Sequence, residues 1–397
     1  MGMVNSAGRA LYDLRVLEIS RTAAGAFCGS LLASLGAEVL LLEQEEGHPL
    51  RRQHPLVPGQ PDANADASIA FDVLNSGKRS IRIDLGSLWG QRKLMALARL
   101  ADVILEDGVS GQPQEYQDAK HLWEQNPSLI VATISPFGQA GSTAHYRACV
   151  GCDLIEYHAG GLGYLTRAYQ PSGEPTQPLT APDTQARMRA GSVAAAAILA
   201  ALLAREVDGS GRRIDVSTQE AVAAVLAEVP LAVYQLEGRV VGSMPVMGPT
   251  TKPFLCQDGM LFVGLVELHQ WKQLFSMMGE PEWSKDELLT TMEGIVSHRD
   301  LLVARVQDWL LDVTIDEFVR EATPRRIPFA IVADVAQSLT HPQLRSRELF
   351  CSVAHPTIGE VFQPKGPCLF SETPVIVAGP APQLGAHNLW CEKDLLG

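Results

Sequence analysis

The sequence predicts an α/β protein: a large Rossmann-like domain on a doubly wound parallel sheet, joined to a smaller α+β domain. Two observations predict the layout. Short apolar runs alternate with helical segments from Arg15 to Ile134, and the texture changes to a hairpin signal after Pro253. A third bounds the domain count: 397 residues, 46% of them hydrophobic, exceed one ordinary core and fall short of three.

Arg15-Val-Leu-Glu-Ile19 reads as a short buried strand, residues 23–35 as an apolar helix closed by Gly36, and Glu38-Val-Leu-Leu-Leu-Glu43 as a second strand. A strand, helix and strand in so short a span imply parallel strands joined by a right-handed crossover. The rhythm then repeats. Arg79-Ser-Ile-Arg-Ile-Asp84 is a strand, 91–100 a helix, Asp102-Val-Ile-Leu-Glu106 a strand, 114–124 a helix and Leu129-Ile-Val-Ala-Thr-Ile134 a strand. No Gly-x-Gly-x-x-Gly follows the first strand, which removes the main support for a nicotinamide site. The large domain takes residues 1–205, ending in an Ala/Leu-rich helix. Residues 206–227 read as a linker helix, and helical spacing through Ala221, Val225 and Val229 continues to Pro230. Pro253-Phe-Leu-Cys-Gln-Asp-Gly-Met-Leu-Phe-Val263 places two apolar runs around a Gln-Asp-Gly turn, a hairpin. It falls in the smaller domain, residues 228–335. The Pro-rich tail, 336–397, carries strand-like pieces and returns to the large domain.

A net charge of −13 argues against nucleic acid, because phosphate binding needs clustered cations. Polar Asn5, Ser6, Arg9, Asp13 and Arg15 interrupt the first thirty residues, so no signal-peptide core is expected there. The longest apolar run, 193–204, is shorter than a membrane span, and a cytoplasmic protein is expected without a membrane partner. Seven cysteines, an odd number, fit free thiols in a reducing compartment.

Gln185-Ala-Arg-Met-Arg-Ala-Gly191, running into the Ala-rich helix, resembles the site segment of the family III CoA-transferases, which usually reads Gln-Ala-Asp-x-x-Ala-Gly. The resemblance extends along the chain. It includes Leu14-Arg-Val-Leu-Glu-Ile-Ser-Arg21, Ala24-Gly25, Leu35-Gly-Ala-Glu-Val39, Asn75-Ser-Gly-Lys-Arg-Ser80, Gly211-Arg-Arg-Ile-Asp-Val-Ser217, His341-Pro-Gln-Leu344 and Ala381-Pro-Gln-Leu-Gly-Ala-His387. It implies an interlocked dimer and CoA exchange between an acyl-CoA and a carboxylic acid, with the CoA thioester as substrate and no tightly bound cofactor or metal. An Asp carboxylate attacks the thioester to give a mixed anhydride, which CoA thiolate reopens to an aspartyl-CoA thioester. Ala23, Ala24, Asn75 and Lys78 are the implied CoA contacts, and His158 and Gly161 the implied substrate contacts.

The chain departs from the pattern at the nucleophile. Without a gap the Asp falls on Arg187, which is permanently protonated and has no acyl carbon. A small insertion would instead bring Asp183 into the role; Asp183 also reads as a helix N-cap after Pro182. Asp107-Gly-Val-Ser-Gly111 replaces an Asn-Phe-Arg/His-Pro-Gly stretch, and Gln44 stands where a basic residue often follows the second strand. Both remove charge expected to pair with CoA phosphates. The related racemases use a Gly-His-Asp-x-x-Tyr segment; here it reads Gly151-Cys152-Asp153, and neither racemase proton carrier is present. Cys149-Val-Gly-Cys152 lacks the context of a zinc or redox site and reads as two buried thiols. Met244-Pro-Val-Met-Gly-Pro249 lies where the family often has a mobile glycine-containing loop that covers the site; of its glycines Gly242 and Gly248 remain, and a lid is expected there. Three functions follow. The chain is the Asp-deficient subunit of a heteromer with an Asp-bearing homologue, or a stand-alone homodimeric transferase using Asp183, or an acyl-CoA lyase or isomerase using Arg187.

Overall fold

The computed structural model describes residues 8–57, 66–108, 119–141, 146, 149–166, 184–226, 229–238, 253–356, 359–366 and 368–396. Two compact units divide the chain: Met1–Ser243 with Glu348–Gly397, and Met244–Arg347.

In the first unit six strands form one parallel sheet: β1 (Arg15–Ile19), β2 (Glu38–Glu43), β3 (Arg79–Arg82), β4 (Val103–Asp107), β5 (Ile130–Ser135) and β6 (Arg213–Ser217). Their order is β3-β2-β1-β4-β5-β6. Strands β4 and β5 are buried at every position, which explains their unbroken apolar runs: a parallel strand between two helical layers has no wet face. Alternation then sorts each strand's side chains between the layers. Val16, Val103, Leu105 and Ile130 join one core, whereas Leu17, Ile104 and Val131 join the other.

The described helices preceding β6 are α1 (Ala23–Ser34), α2 (Ile69–Asn75), α3 (Leu88–Ala98), α4 (Ala119–Gln125), α5 (Asp153–Ala159), α6 (Leu162–Leu165) and α7 (Gln185–Asp208). Helix α7 is long and apolar enough to cross a membrane by length and composition. Instead Ala190, Ala194, Ala195, Ile198 and Ala201 pack into the core shared by α1 and the sheet. The contact with α1 depends on Gly191, where a Cβ would stand 2.4 Å from the Ala24 carbonyl oxygen.

One sequence expectation is corrected here. Residues 206–227 are not a linker helix: α7 ends at Asp208, β6 follows, and Ser217 caps α8 (Thr218–Ala223) by accepting from Glu220 N. β6 escapes notice because it pairs only with β5 at the sheet edge, where Arg213 is exposed and Ile214 and Asp215 half-buried, so no apolar run marks it. Helix α9 (Val229–Glu237) also belongs to this unit, as does the hairpin β10 (Phe350–His355) with β11 (Gly359–Pro364). The tail is tied to the unit's core by Ile376 N donating to Ser34 O and His387 N to Ser80 O.

The second unit runs from Met244 to Arg347, where the sequence placed it at 228–335. Its hairpin, β7 (Phe254–Cys256) with β8 (Gly259–Val263), pairs Cys256 with Gly259 around the expected turn, and β9 (Phe329–Ile331) adds a third antiparallel strand. Phe254, Trp271, Phe275 and Phe318 form its core.

Candidate functional site

Strand order reverses between β1 and β4, and in open α/β sheets ligands bind outside the carboxyl ends of the strands at such a point. The N-terminus of α1 opens there, with backbone N–H groups that would ordinarily receive a phosphate. In this chain Asp107, the last residue of β4, takes them. Its Oδ1 accepts from Arg21 N (2.5 Å) and Thr22 N (2.9 Å), and its Oδ2 from Gly25 N and Thr22 Oγ1, both at 2.6 Å. Burial pushes the Asp107 carboxyl up, and these hydrogen bonds oppose the shift. Gly25 is required by closeness, since a Cβ would stand 2.6 Å from Ser20 Cβ and 2.9 Å from Asp107 Oδ2. Asp107 therefore braces the start of α1 from inside, a role the sequence did not indicate for it.

Behind α1 lies a buried polar network. Glu18 Oε2 and Lys78 Nζ meet at 2.7 Å, both side chains fully buried, and Lys78 also donates to Ala26 O and Asn75 Oδ1. Burial raises the Glu18 carboxyl and lowers the Lys78 ammonium, and their contact opposes both shifts. Ser20 donates to Glu18 Oε1 (2.6 Å) and lies 3.2 Å from His48 Nε2. His48 Nδ1 accepts from Leu50 N, and burial holds the ring well below its usual range, so the neutral ring carries its proton on Nε2 and donates to Ser20. Glu43 completes the set with a two-pronged contact to Arg51. Asn75 and Lys78, the implied CoA contacts, are buried in this network. Ala23 and Ala24 are buried in the first turn of α1, leaving only their backbone near the switch point.

Arg187 stands in the first turn of α7, facing α5. Its backbone N–H donates to Asp153 Oδ1 (2.9 Å), a carboxylate at a helix N-terminus where one is favourable. Its guanidinium donates through Nε to Glu156 Oε2 (3.2 Å) and through Nη2 to Glu156 Oε1 (3.1 Å) and Gly151 O (3.0 Å). Asp153 and Glu156 are three apart on α5, which puts both on the face toward α7. The Glu156 side chain is 1% exposed and that of Arg187 17%, so the guanidinium lies between the carboxylate and solvent. Burial raises the Glu156 carboxyl against the pull of Arg187. For Arg187 burial works against the cation, but Glu156, with Asp107 and Asp153 behind it, outweighs burial and holds it above its usual range. Gly151 leaves room for the pair: a Cβ there would meet Glu156 Oε1 and Pro136 Cβ at 2.5 Å. Sequence reasoning missed Glu156; the available signal was an Asp-x-x-Glu spacing on a helix packed beside an unexplained arginine.

Other expected positions fall around this constellation. His158, half-buried at the end of α5, sets its ring edge against Tyr157. Its Nε2 has no hydrogen-bond partner among the described residues. Gly161 adopts φ 89° before α6, a left-handed turn that favours glycine. Asp183 and the expected lid at 244–249, with Gly242, lie outside the described residues. Cys152 is exposed and Cys149 half-buried, which corrects their reading as buried thiols. Among the described residues no three His, Cys, Asp or Glu side chains are grouped to hold a metal.

Comparison with known proteins gives one consistent answer. A family model described as CoA-transferase family III matches residues 11–388. The chain is 30% identical to succinyl-CoA–D-citramalate CoA-transferase of Chloroflexus aurantiacus, over 98% of this chain and 94% of that one. It is 29% identical to the succinyl-CoA–L-malate CoA-transferase alpha subunit of the same organism, over 97% of this chain and 89% of that one. Among solved structures, a CAIB/BAIF family protein from Brucella suis superposes with a TM-score of 0.85 at 26% identity, covering 98% of this chain and all of the other.

Proposed function

The chain belongs to CoA-transferase family III, and from that premise we propose that it serves CoA exchange between an acyl-CoA and an organic carboxylic acid as the Asp-deficient subunit of a heteromeric transferase. The observation that carries the reading is the Arg187–Glu156 pair. At the place where the family pattern puts a nucleophilic carboxylate stands a guanidinium, and the carboxylate it pairs with, Glu156, is buried behind it. Arginine cannot become an anhydride or a thioester. Its Nε and Nη2 are already committed to Glu156 and Gly151 O, which also speaks against Arg187 as a free electrophile for lyase or isomerase chemistry. The nucleophile then belongs to the partner, an Asp-bearing homologue: its carboxylate takes the acyl group from the thioester, releasing CoA thiolate, and the thiolate returns to the aspartyl carbonyl as the acid leaves.

Two further observations support a partner chain. A relative of similar length is named as an alpha subunit. Helix α7 also presents Val193, Ala196, Ala200, Leu203 and Val207 to solvent at spacings of three and four, an apolar seam suited to another helix.

The test is purification with and without an Asp-bearing homologue, incubation with succinyl-CoA, and hydroxylamine trapping read by mass spectrometry. The adduct is expected on the partner alone. An adduct on this chain by itself, lost in Asp183→Ala or Glu156→Gln, would establish a stand-alone transferase. Turnover without any partner that survives Asp183→Ala and dies in Arg187→Ala would establish the lyase or isomerase.

A further inference from the structure

A cavity of about 200 Å³ lies within the larger unit, and none of its lining residues belongs to the Arg187 constellation. Its walls are the second half of α1, the end of α2, the β10–β11 hairpin and residues 376–378, with Phe27, Leu31, Val73 and Ile376 supplying apolar surface. Two polar clasps fix the hairpin to α2 beside it. Gln363 Nε2 donates to Ser76 Oγ at 3.0 Å, and His355 Nε2 meets Asp72 Oδ2 at 2.8 Å. The space is therefore bounded by fastened elements rather than by a loose loop.

The electrostatics of the lining are unlike those of the whole chain. Net charge is −13, yet among the described residues no carboxylate lines this cavity and one cation, Lys365, does. Lys365 Nζ meets Glu348 Oε2 at 3.1 Å, but the Lys365 side chain is 17% exposed and that of Glu348 78%. An ion pair with so wet a partner contributes little, so a ligand carboxylate can replace it at small cost. Apolar cavities of roughly 150 Å³ hold benzene, so this one takes a chain or ring of about six to eight carbons.

We infer that the cavity is a binding site for a short apolar monocarboxylic acid, its tail among Phe27, Leu31, Val73 and Ile376 and its carboxylate on Lys365. The site is separate from the acyl-exchange site and stands whether or not the subunit reading does. Because α1 lines this cavity with its second half and opens the switch point with its first turn, occupancy here bears on the element that Asp107 caps.

Isothermal titration of the full chain with hexanoate, with 1-hexanol as the uncharged control, tests the inference. Hexanoate is expected to bind at least tenfold more tightly than the alcohol. Lys365→Met should weaken hexanoate at least tenfold and leave 1-hexanol unchanged, while Val73→Phe, which fills the space, should abolish both. If Val73→Phe fails to fold, hydrogen exchange of the unmodified chain decides, with protection by hexanoate expected in peptides covering 27–34 and 359–366. Absence of hexanoate binding, equal affinity in Lys365→Met, alcohol binding as tight as the acid, or protection confined to other peptides would each overturn it.

Discussion

Replacing Arg187 with alanine strands Glu156. The carboxylate is 1% exposed and, among its neighbours, Asp153 and Asp107 raise its pKa further, so only Arg187 among the groups acting on it strongly favours the charged form. Removing one partner of a buried pair costs about 3–5 kcal/mol. Arg187 is itself 17% exposed, and its truncation admits water to Glu156, which puts the expected loss at the low end, about 3 kcal/mol. With a urea slope near 3 kcal/mol/M, the unfolding midpoint of the larger unit should fall by about 1 M at pH 7. The penalty is pH-dependent with a definite sign. Glu156 in the folded variant has a pKa above the unfolded value of about 4.3, so the folded state binds the extra proton, and stability is greatest below that value and declines as pH rises. The variant should therefore recover toward the parent between pH 7 and pH 5. Glu156→Gln in the same background should remove most of the deficit at pH 7, since it discards the buried charge. A midpoint for Arg187→Ala within about 0.2 M of the parent at pH 7, with no change in the gap at pH 5, would refute the claim that this pair is the buried lock of the site.

Arg187→Asp combined with Glu156→Gln places one carboxylate at the family's nucleophile position without two like charges in contact, and should yield a hydroxylamine-trappable adduct with succinyl-CoA where the parent chain gives none. Asp107→Ala frees Gly25 N in the first turn of α1 and Arg21 N and Thr22 N just before it, and should cost about 2–3 kcal/mol by urea unfolding, whereas Asp107→Asn, which keeps an acceptor, should cost less than half of that. Gly191→Ala forces a methyl against Ala24 O and should destabilise the α1–α7 contact by about 1–3 kcal/mol. Burial raises Asp72 to about 6 although His355 and Arg51 pull it down; its contribution is therefore greatest below the unfolded value of about 3.9 and declines as pH climbs to about 6. His355→Ala should extend that decline above pH 6, read as a growing gap between variant and parent in urea midpoints at pH 5 and pH 7.5.

How much of this was readable in advance differs from element to element. Strands β1, β2, β4 and β5 announce themselves because each is covered on both faces and carries a run of apolar residues, and their alternation with helices implies parallel pairing through right-handed crossovers. β6 was unreadable for the opposite reason: an edge strand that begins at Arg213 and carries Asp215 at its centre has no apolar run to detect. At the site, Arg187 was visible as a departure from a pattern, but Glu156 was not, because nothing local links a helix residue at 156 to one at 187. Asp107 was read as a lost positive charge, and the structure shows a cap whose donors lie more than eighty residues away. The family resemblance implied Lys78 as a CoA contact, and the structure buries it against Glu18 of β1, the partner that makes its burial tolerable.

By itself the sequence determined the α/β class, the parallel sheet, the family and the absence of a carboxylate at residue 187, because periodicity, motif order and residue identity are properties of the chain in one dimension. Only tertiary structure decided which charges meet: Arg187 with Glu156, Lys78 with Glu18, Asp107 with the start of α1. The physical reason is that a buried charge is stable only if a partner of opposite sign or a set of donors is brought to it within hydrogen-bond distance. In this chain those partners come from elements 31 to 86 residues apart, joined by packing of α1, α5 and α7 on the sheet.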